Sequence, residues 1–280
     1  MSFVDAQAGR VLDALDANGF ADTTAVAFWG DHGWNLGEHG AFCKQSNFET
    51  VARIPTMLRV PWLLQSSAGS ARRQPSRAIA TADAHAVDAA AAGTTPTTPT
   101  RCKALVEAVD LFPTLLDVAG LDATALGKAH FEGDSFAPVL RSALQGGGGA
   151  CAHFKNATFT QYPRCGATWR NIDEDDPCTQ DDSATFAVMG YSIFSADGWR
   201  YTRWMHWTGG AESGAAVEWE QVTGEELYDH RNESGLSYFA SELHNVANQS
   251  RYAGVRAELE AALKAGWRAS RPAMVEEAWA

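Results

Sequence analysis

The 280-residue chain contains no apolar run near the roughly 18 residues that a membrane span needs. Its opening Met1-Ser2-Phe3-Val4-Asp5 has neither the basic nor the apolar stretch of a signal peptide, so a soluble chain without a visible address is expected. Positive charge is scarce: 22 Lys and Arg face 34 Asp and Glu, a formal net charge of -12. That balance repels polyanions at long range and argues against nucleic acid or an anionic membrane surface as a general partner. An anionic substrate would need a locally basic or metal-lined pocket. Five cysteines are too few and odd in number for a disulfide scaffold, although Cys165 and Cys178 lie close enough in a loop-like stretch to pair.

What is present suits a globular protein: 45% hydrophobic and 20% charged residues over a length that can bury a large core, in one domain or one and a half. Three sequons, at Asn156, Asn232 and Asn248, exceed the about one expected by chance and tilt toward a secretory route.

The pattern begins with a helix. Val4, Ala8, Val11, Leu12 and Leu15 recur at helical spacing, and Asn18-Gly19 supplies a stop that tolerates a left-handed backbone. The apolar run TAVAFWG (24–30) reads as a strand buried on both faces, and IPTMLRVPW (54–62) as another with prolines at its ends. Helix followed by buried strand is the grammar of an α/β fold with a parallel sheet. From about 65 to 100 the chain is rich in Ala, Thr and Pro with few large apolar residues, the composition of a disordered insertion. LVEAVDLFPTLLDVAGL (105–121) restores a helical pattern with Pro113 in the first turn and Gly120 as a stop. After the joint GGGG (146–149), the runs ATFTQYP, FAVMGYSIFS and WRYTRWMHW read as antiparallel strands, and a helix over about 252–270 closes the chain. The expected division is an α/β part over 1–145 and a C-terminal subdomain over 150–280.

The chemistry concentrates in FWGDHGWNLGEHGAFCK (28–44). Asp31 and His32 stand at the carboxyl end of the predicted strand 24–30, the edge at which open parallel sheets bind ligands. A carboxylate beside an imidazole could ligate a divalent cation, although histidine is an unusual partner for calcium. Lys44 could hold a sulfate or phosphate oxygen, Trp34 offers a flat face to a sugar ring, and Glu38 and His39 could do acid-base work, with support of the ligands the favoured reading. Spacing alone leaves two readings open, a glycine-rich turn or a metal site.

The segment VAFWGDHGWNLGEHGAFCKQSNFE resembles the second metal-binding segment of the sulfatases of the alkaline-phosphatase-like superfamily. FVDAQAGRVLDAL, RIPTMLRVP, VDLFPTLLDVAGL, FEGDSFAPVL, QYPR, VMGYSI, WRYTRW and GEELYDHRNE agree with the same family in order, over most of residues 3–250. The resemblance implies an alkaline-phosphatase-like parallel sheet flanked by helices, with a small antiparallel sheet and a C-terminal helix after it. It implies that Asp31 and His32 are calcium ligands, that Lys44 contacts the sulfate ester and that Trp34 helps shape the sugar pocket. Other sulfatases often carry Asn where His32 stands, and the histidine points to the iduronate-type subgroup.

The family's nucleophile is a formylglycine made from a cysteine in Cys-x-Pro-Ser-Arg, and none of Cys43, Cys102, Cys151, Cys165 or Cys178 is followed by that pattern. The family's paired aspartates and upstream basic residues are missing as well, so the expectation is the C-terminal part of a sulfatase domain whose N-terminal half supplies them. The implied whole is a lysosomal or secreted enzyme removing sulfate from a uronate-containing or related glycan. The alternatives are a non-catalytic glycan-binding remnant and a phosphoester hydrolase on the same scaffold. A sheet lacking its first strands would expose apolar faces, so the polypeptide alone is expected to be poorly stable.

Overall fold

The computed structural model describes residues 2–65, 80–82, 100–121, 131–145, 151–165, 186–207, 219–233 and 242–271. In chain order the elements are α1 (Ser2–Ala17), β1 (Val26–Trp29), β2 (Asn35–Leu36), β3 (Phe42–Cys43), α2 (Glu49–Ala52), β4 (Thr56–Arg59), α3 (Pro61–Gln65), β5 (Ala80–Ala82), β6 (Thr100–Arg101), α4 (Leu111–Val118), α5 (Ala137–Gln145), β7 (Ala157–Cys165), β8 (Phe186–Ser195), β9 (Trp199–His206), β10 (Val222–Asp229) and α6 (Ala253–Ala265). No described helix is long and apolar enough to cross a membrane. The proposed Cys165–Cys178 pairing and most of the 65–100 insertion lie outside the described residues.

The chain forms two compact units, one of residues 1–30 and 55–154 and the other of 31–54 and 155–280. The sequence pattern placed the division between 145 and 150 and kept 31–54 with the first part. Residues 31–54 instead make their tertiary contacts with the C-terminal sheet, which composition along the chain cannot reveal.

The first unit has a four-stranded sheet in the order β1-β4-β5-β6. Its α/β class matches the expectation, while the pairing departs from the parallel one. β1 runs antiparallel to β4, and β4 to β5; among the described pairs of this sheet only β5–β6 is parallel. A parallel neighbour needs a crossover, usually helical, that carries the chain back to the same end. Here the chain leaves β1 at Gly30 and re-enters at Pro55, where Gly30 N–H donates to the Pro55 carbonyl at 3.1 Å. The antiparallel register from Val26↔Arg59 to Trp29↔Thr56, which this bond extends, makes β1 and β4 the legs of a long hairpin.

β1 is an edge strand of this sheet and is not buried on both faces: Phe28 is 44% and Trp29 46% exposed. Nor does α1 bury any residue; Phe3, Val4 and Val11 stand exposed although the helix ends as its sequence dictates. Gly19 adopts φ 72°, and Phe20 N–H reaches back to the Leu15 carbonyl at 2.9 Å, the six-to-one bond of a left-handed helix stop.

The core of this unit gathers Leu58, Val60, Leu111, Val118, Phe136, Val139, Leu140 and Phe154. Asp110, fully buried at the start of α4, accepts from Glu107 N–H at 2.8 Å and Asp134 N–H at 2.9 Å. One short side chain thus satisfies two backbone donors that burial would otherwise leave costly. A disulfide joins Cys102 to Cys151 across 49 positions.

The second unit is an antiparallel meander in the order β10-β9-β8-β7; the aromatic runs predict β7, β8 and β9, and β10 is a fourth strand that they do not include. Its two faces differ. Ile193, Tyr201 and Leu227 pack with Leu259 and Leu263 of α6, so one face is covered by the amphipathic helix. Arg200, Ser192, Thr202 and Glu226 alternate with them and belong to the opposite face, where residues 31–54 lie. α6 ends at Gly266, φ 82°, and the 3-10 turn 267–270 completes the predicted helical span.

Candidate active site

Segment 31–54 is built by four local devices. Gly33 N–H donates to the Val51 carbonyl at 2.8 Å, and the glycine is required, since a Cβ would stand 2.0 Å from the Thr50 carbonyl oxygen. β2 and β3 pair as a two-stranded ribbon, Asn35 opposite Cys43. Its turn uses left-handed backbone at His39 (φ 58°) and Gly40 (φ 67°), and Cys43 is left-handed too (φ 73°). Strain of this kind persists only where surrounding contacts enforce it. α2 then anchors the ribbon: Thr50 Oγ1 donates to the buried Asn35 Oδ1 at 2.5 Å.

The ribbon folds the chain back so that Lys44 meets His32 twelve positions earlier. Lys44 Nζ lies 2.7 Å from His32 Nε2, and Asp31 Oδ2 lies 3.3 Å from the same nitrogen. The other ring nitrogen is 2.7 Å from the Gly33 carbonyl, which can only accept; Nδ1 therefore carries a proton, and in the neutral ring Nε2 presents its lone pair. A backbone carbonyl that fixes the tautomer is the usual support of a metal-binding histidine. The Asp31 side chain is 85% exposed and that of His32 28%, and Lys44 holds the position on Nε2 that a cation would take.

Trp34 is half exposed, its ring 6.1 Å from that of His32. Sequence reasoning brought Asp31, His32, Lys44 and Trp34 to one region, and the structure does the same. It does not bring Glu38 and His39 to them as supports. Glu38 Oε2 accepts from Leu36 N–H at 2.5 Å, a bond that lowers its pKa. His39 turns inward, stacks on Phe48 with ring centres 4.2 Å apart and faces Glu242 at 4.0 Å. Burial lowers its pKa, with the charges of Glu242 and Glu38 opposing that shift.

Asp31 Oδ and His32 Nε2 fit one side of a divalent-cation site, since a hard oxygen and an unprotonated nitrogen converge from adjacent residues. No group of three or more His, Cys, Asp or Glu side chains comes together as a metal site among the described residues.

Behind this surface lies a buried ionic cluster of residues outside the stretch 28–44. Arg200, 2% exposed, pairs with Glu49, and its Nε is 2.7 Å from Glu242 Oε1. His230 pairs with Glu233 and lies 3.4 Å from Glu242. Burial opposes its charge, but the hydrogen bonds and charges of Glu233 and Glu242 outweigh that cost and raise its pKa to about 9. Arg200 and His230 fall in the quoted pieces WRYTRW and GEELYDHRNE; Glu242 belongs to none of them.

Residues 1–121 match the sulfatase family model. Iduronate 2-sulfatase of Mus musculus is 32% identical over 278 residues, covering 91% of this chain and 44% of the relative. The chain thus spans less than half the length of that protein. Among solved structures, the phosphonate monoester hydrolase of Agrobacterium radiobacter superposes with a TM-score of 0.55 at 22% identity, covering 94% of this chain and 38% of that one. BT4656, solved in complex with its substrate D-glucosamine-2-N,6-O-disulfate, gives 0.55 at 21% identity over 94% of this chain and 37% of its own. These likenesses show that the chain shares the fold of those solved structures, and the stretch 1–121, which carries Asp31, His32 and Lys44, is a sulfatase family domain.

Proposed function

We propose that residues 31–44 form one wall of the site of a sulfuric ester hydrolase acting on a sulfated uronate-containing or related glycan. The observation that carries this reading is the convergence of Asp31, the Nε2 lone pair of His32 and the ammonium of Lys44 within one short segment. Asp31 and His32 would hold the cation, calcium in the resemblance. Lys44 would lie against an ester oxygen and offset the negative charge that grows there as the S–O bond breaks. A bound calcium would draw further charge from the same sulfuryl group. Trp34 would receive the apolar face of the sugar.

No cysteine of these 280 residues carries Cys-x-Pro-Ser-Arg. The reading therefore needs a formylglycine from polypeptide outside them, and residues 1–280 by themselves are expected to be inactive. The Cys102–Cys151 disulfide and three sequons support an oxidising, secretory setting, which agrees with a lysosomal or secreted enzyme.

The test joins this chain to the part of a sulfatase domain bearing Cys-x-Pro-Ser-Arg and follows sulfate release from a uronate 2-sulfate disaccharide. Turnover that Lys44→Ala lowers at least a hundredfold is expected. Turnover indifferent to Lys44, or none in a folded protein carrying formylglycine, would overturn the reading. The likeness to a phosphonate monoester hydrolase favours a second reading, phosphoester cleavage on the same scaffold. Faster hydrolysis of an aryl phosphate than of an aryl sulfate would select it.

A further inference from the structure

We propose that Glu242 is a positioning residue for the Asp31–His32–Lys44 cluster, acting through α2 as a bracket between the β7–β10 sheet and the site.

Three alternate residues of one stretch meet the polar face of the sheet. The Gln45 carbonyl accepts from Arg164 Nη1 at 2.9 Å, and Asn47 Nδ2 donates to the Gly190 carbonyl at 3.1 Å. Glu49 closes the series, its carboxylate on Arg200 and its own N–H on Glu242 Oε2 at 2.7 Å. These three contacts tie the bent stretch 45–49 to the sheet directly after Lys44, whose carbonyl takes Ser46 N–H at 2.9 Å.

Glu242 joins the contacts. Besides Glu49 N–H it meets Arg200 Nε at 2.7 Å and His230 Nε2 at 3.4 Å, and it is the acidic group facing the buried His39 ring. It is 3% exposed. Removing one partner of such a cluster leaves Arg200 and His230 charged, buried and short of an anion, so the arrangement must shift. The shift passes directly to the site, because the residues after Glu49 hold His32 in place. Thr50 binds Asn35, and the Val51 carbonyl takes Gly33 N–H, next to the carbonyl that fixes the His32 tautomer. His39, stacked on Phe48, ties the ribbon's turn to the same cluster.

The significance of the bracket rests on the proposed sulfatase site, but its test requires no turnover. In the 280-residue chain, hydrogen exchange at the Gly33 amide and the ring 15N shifts of His32 are measured by NMR. Glu242→Ala is expected to speed Gly33 exchange at least tenfold and to mix the His32 tautomers. Thr50→Val, which cuts the bracket at its other end and leaves every ion in place, is expected to do the same. Glu260→Ala breaks the Arg203–Glu260 pair (2.8 Å), on the face covered by α6, and should change both readouts less than twofold. Should Glu242→Ala not fold, Glu242→Gln and Thr50→Val decide. Unchanged Gly33 exchange and His32 shifts in folded variants, or equal disturbance by Glu260→Ala, would overturn the proposal. Loss of sulfatase turnover with these signatures intact would count against the site's function and leave the bracket standing.

Discussion

Gly33 and Thr50 touch backbone to backbone: a Cβ on Gly33 would lie 2.0 Å from the Thr50 carbonyl oxygen and 2.9 Å from its carbon. Backbone cannot swing aside as a flexible side chain can. Gly33→Ala is therefore expected to cost about 3 kcal/mol, the upper end for overpacking, and to shift the His32 ring resonances. Gly9→Ala in α1 meets nothing within 4 Å and should be neutral or stabilising by up to about 1 kcal/mol. Urea denaturation of the two variants compares them directly.

Lys44 occupies the face of His32 that a cation would use. A divalent cation and an ammonium a few ångströms apart in an exposed setting repel by about 2 kcal/mol. Lys44→Met is accordingly expected to tighten calcium binding roughly thirtyfold, while His32→Ala abolishes it. Isothermal titration with calcium chloride reads both; weaker binding by Lys44→Met would contradict the shared position.

His230 makes stability depend on pH. Its folded pKa, about 9, stands above the ordinary 6.5, so its contribution is complete below about pH 6.5 and disappears as pH rises through 9. The change is on the order of 3 kcal/mol. His39 acts oppositely: its lowered pKa favours the neutral ring, and the stability it contributes above pH 6.5 is lost as pH falls through its folded pKa. Denaturation midpoints at pH 6 and 9.5 should differ for the native chain and converge for His230→Gln.

The Cys102–Cys151 bridge closes a loop of 49 positions in the first unit. Loop-closure entropy for that length gives about 4 kcal/mol, and measured bridges usually deliver about 2–4. Replacing both cysteines by alanine should lower the melting temperature accordingly. Reduction with dithiothreitol should do the same to the native chain and nothing to the variant.

Exposed apolar residues on α1 and β1 predict a sticky chain. Phe3, Val4 and Val11 share one side of the helix, and Phe28 and Trp29 stand on an edge strand. Such a surface invites association. Residues 1–280 are expected to enhance anilinonaphthalene sulfonate fluorescence and to self-associate in light scattering. Val4→Lys with Val11→Lys should reduce both.

Much of this was legible along the chain. The helix stop at Asn18-Gly19, the strands 26–29 and 56–59, three of the four strands of the meander and the last helix follow from periodicity and turn residues. Asp31, His32, Lys44 and Trp34 were visible because they crowd a glycine-rich stretch after an apolar run. The direction of β4 was not, since nothing in TMLR says whether the preceding connection crosses over or turns back. Burial at β1 was misjudged for a related reason: an apolar run records what the strand could bury, while Phe28 and Trp29 remain half exposed. The partners of His39 were hidden because Glu242 lies two hundred positions away and owes its role to depth, which a carboxylate in sequence does not declare.

The first unit is interrupted by residues 31–54 of the second. No single cut can separate the two: a fragment ending at 154 keeps Asp31, His32 and Lys44 but loses Arg164, Arg200 and Glu242, against which their segment is braced. The family match over 1–121 has the same shape, taking in Asp31, His32 and Lys44 and leaving out the residues that brace them. A search that transplants the motif alone would recover the letters of this site without the means of holding them.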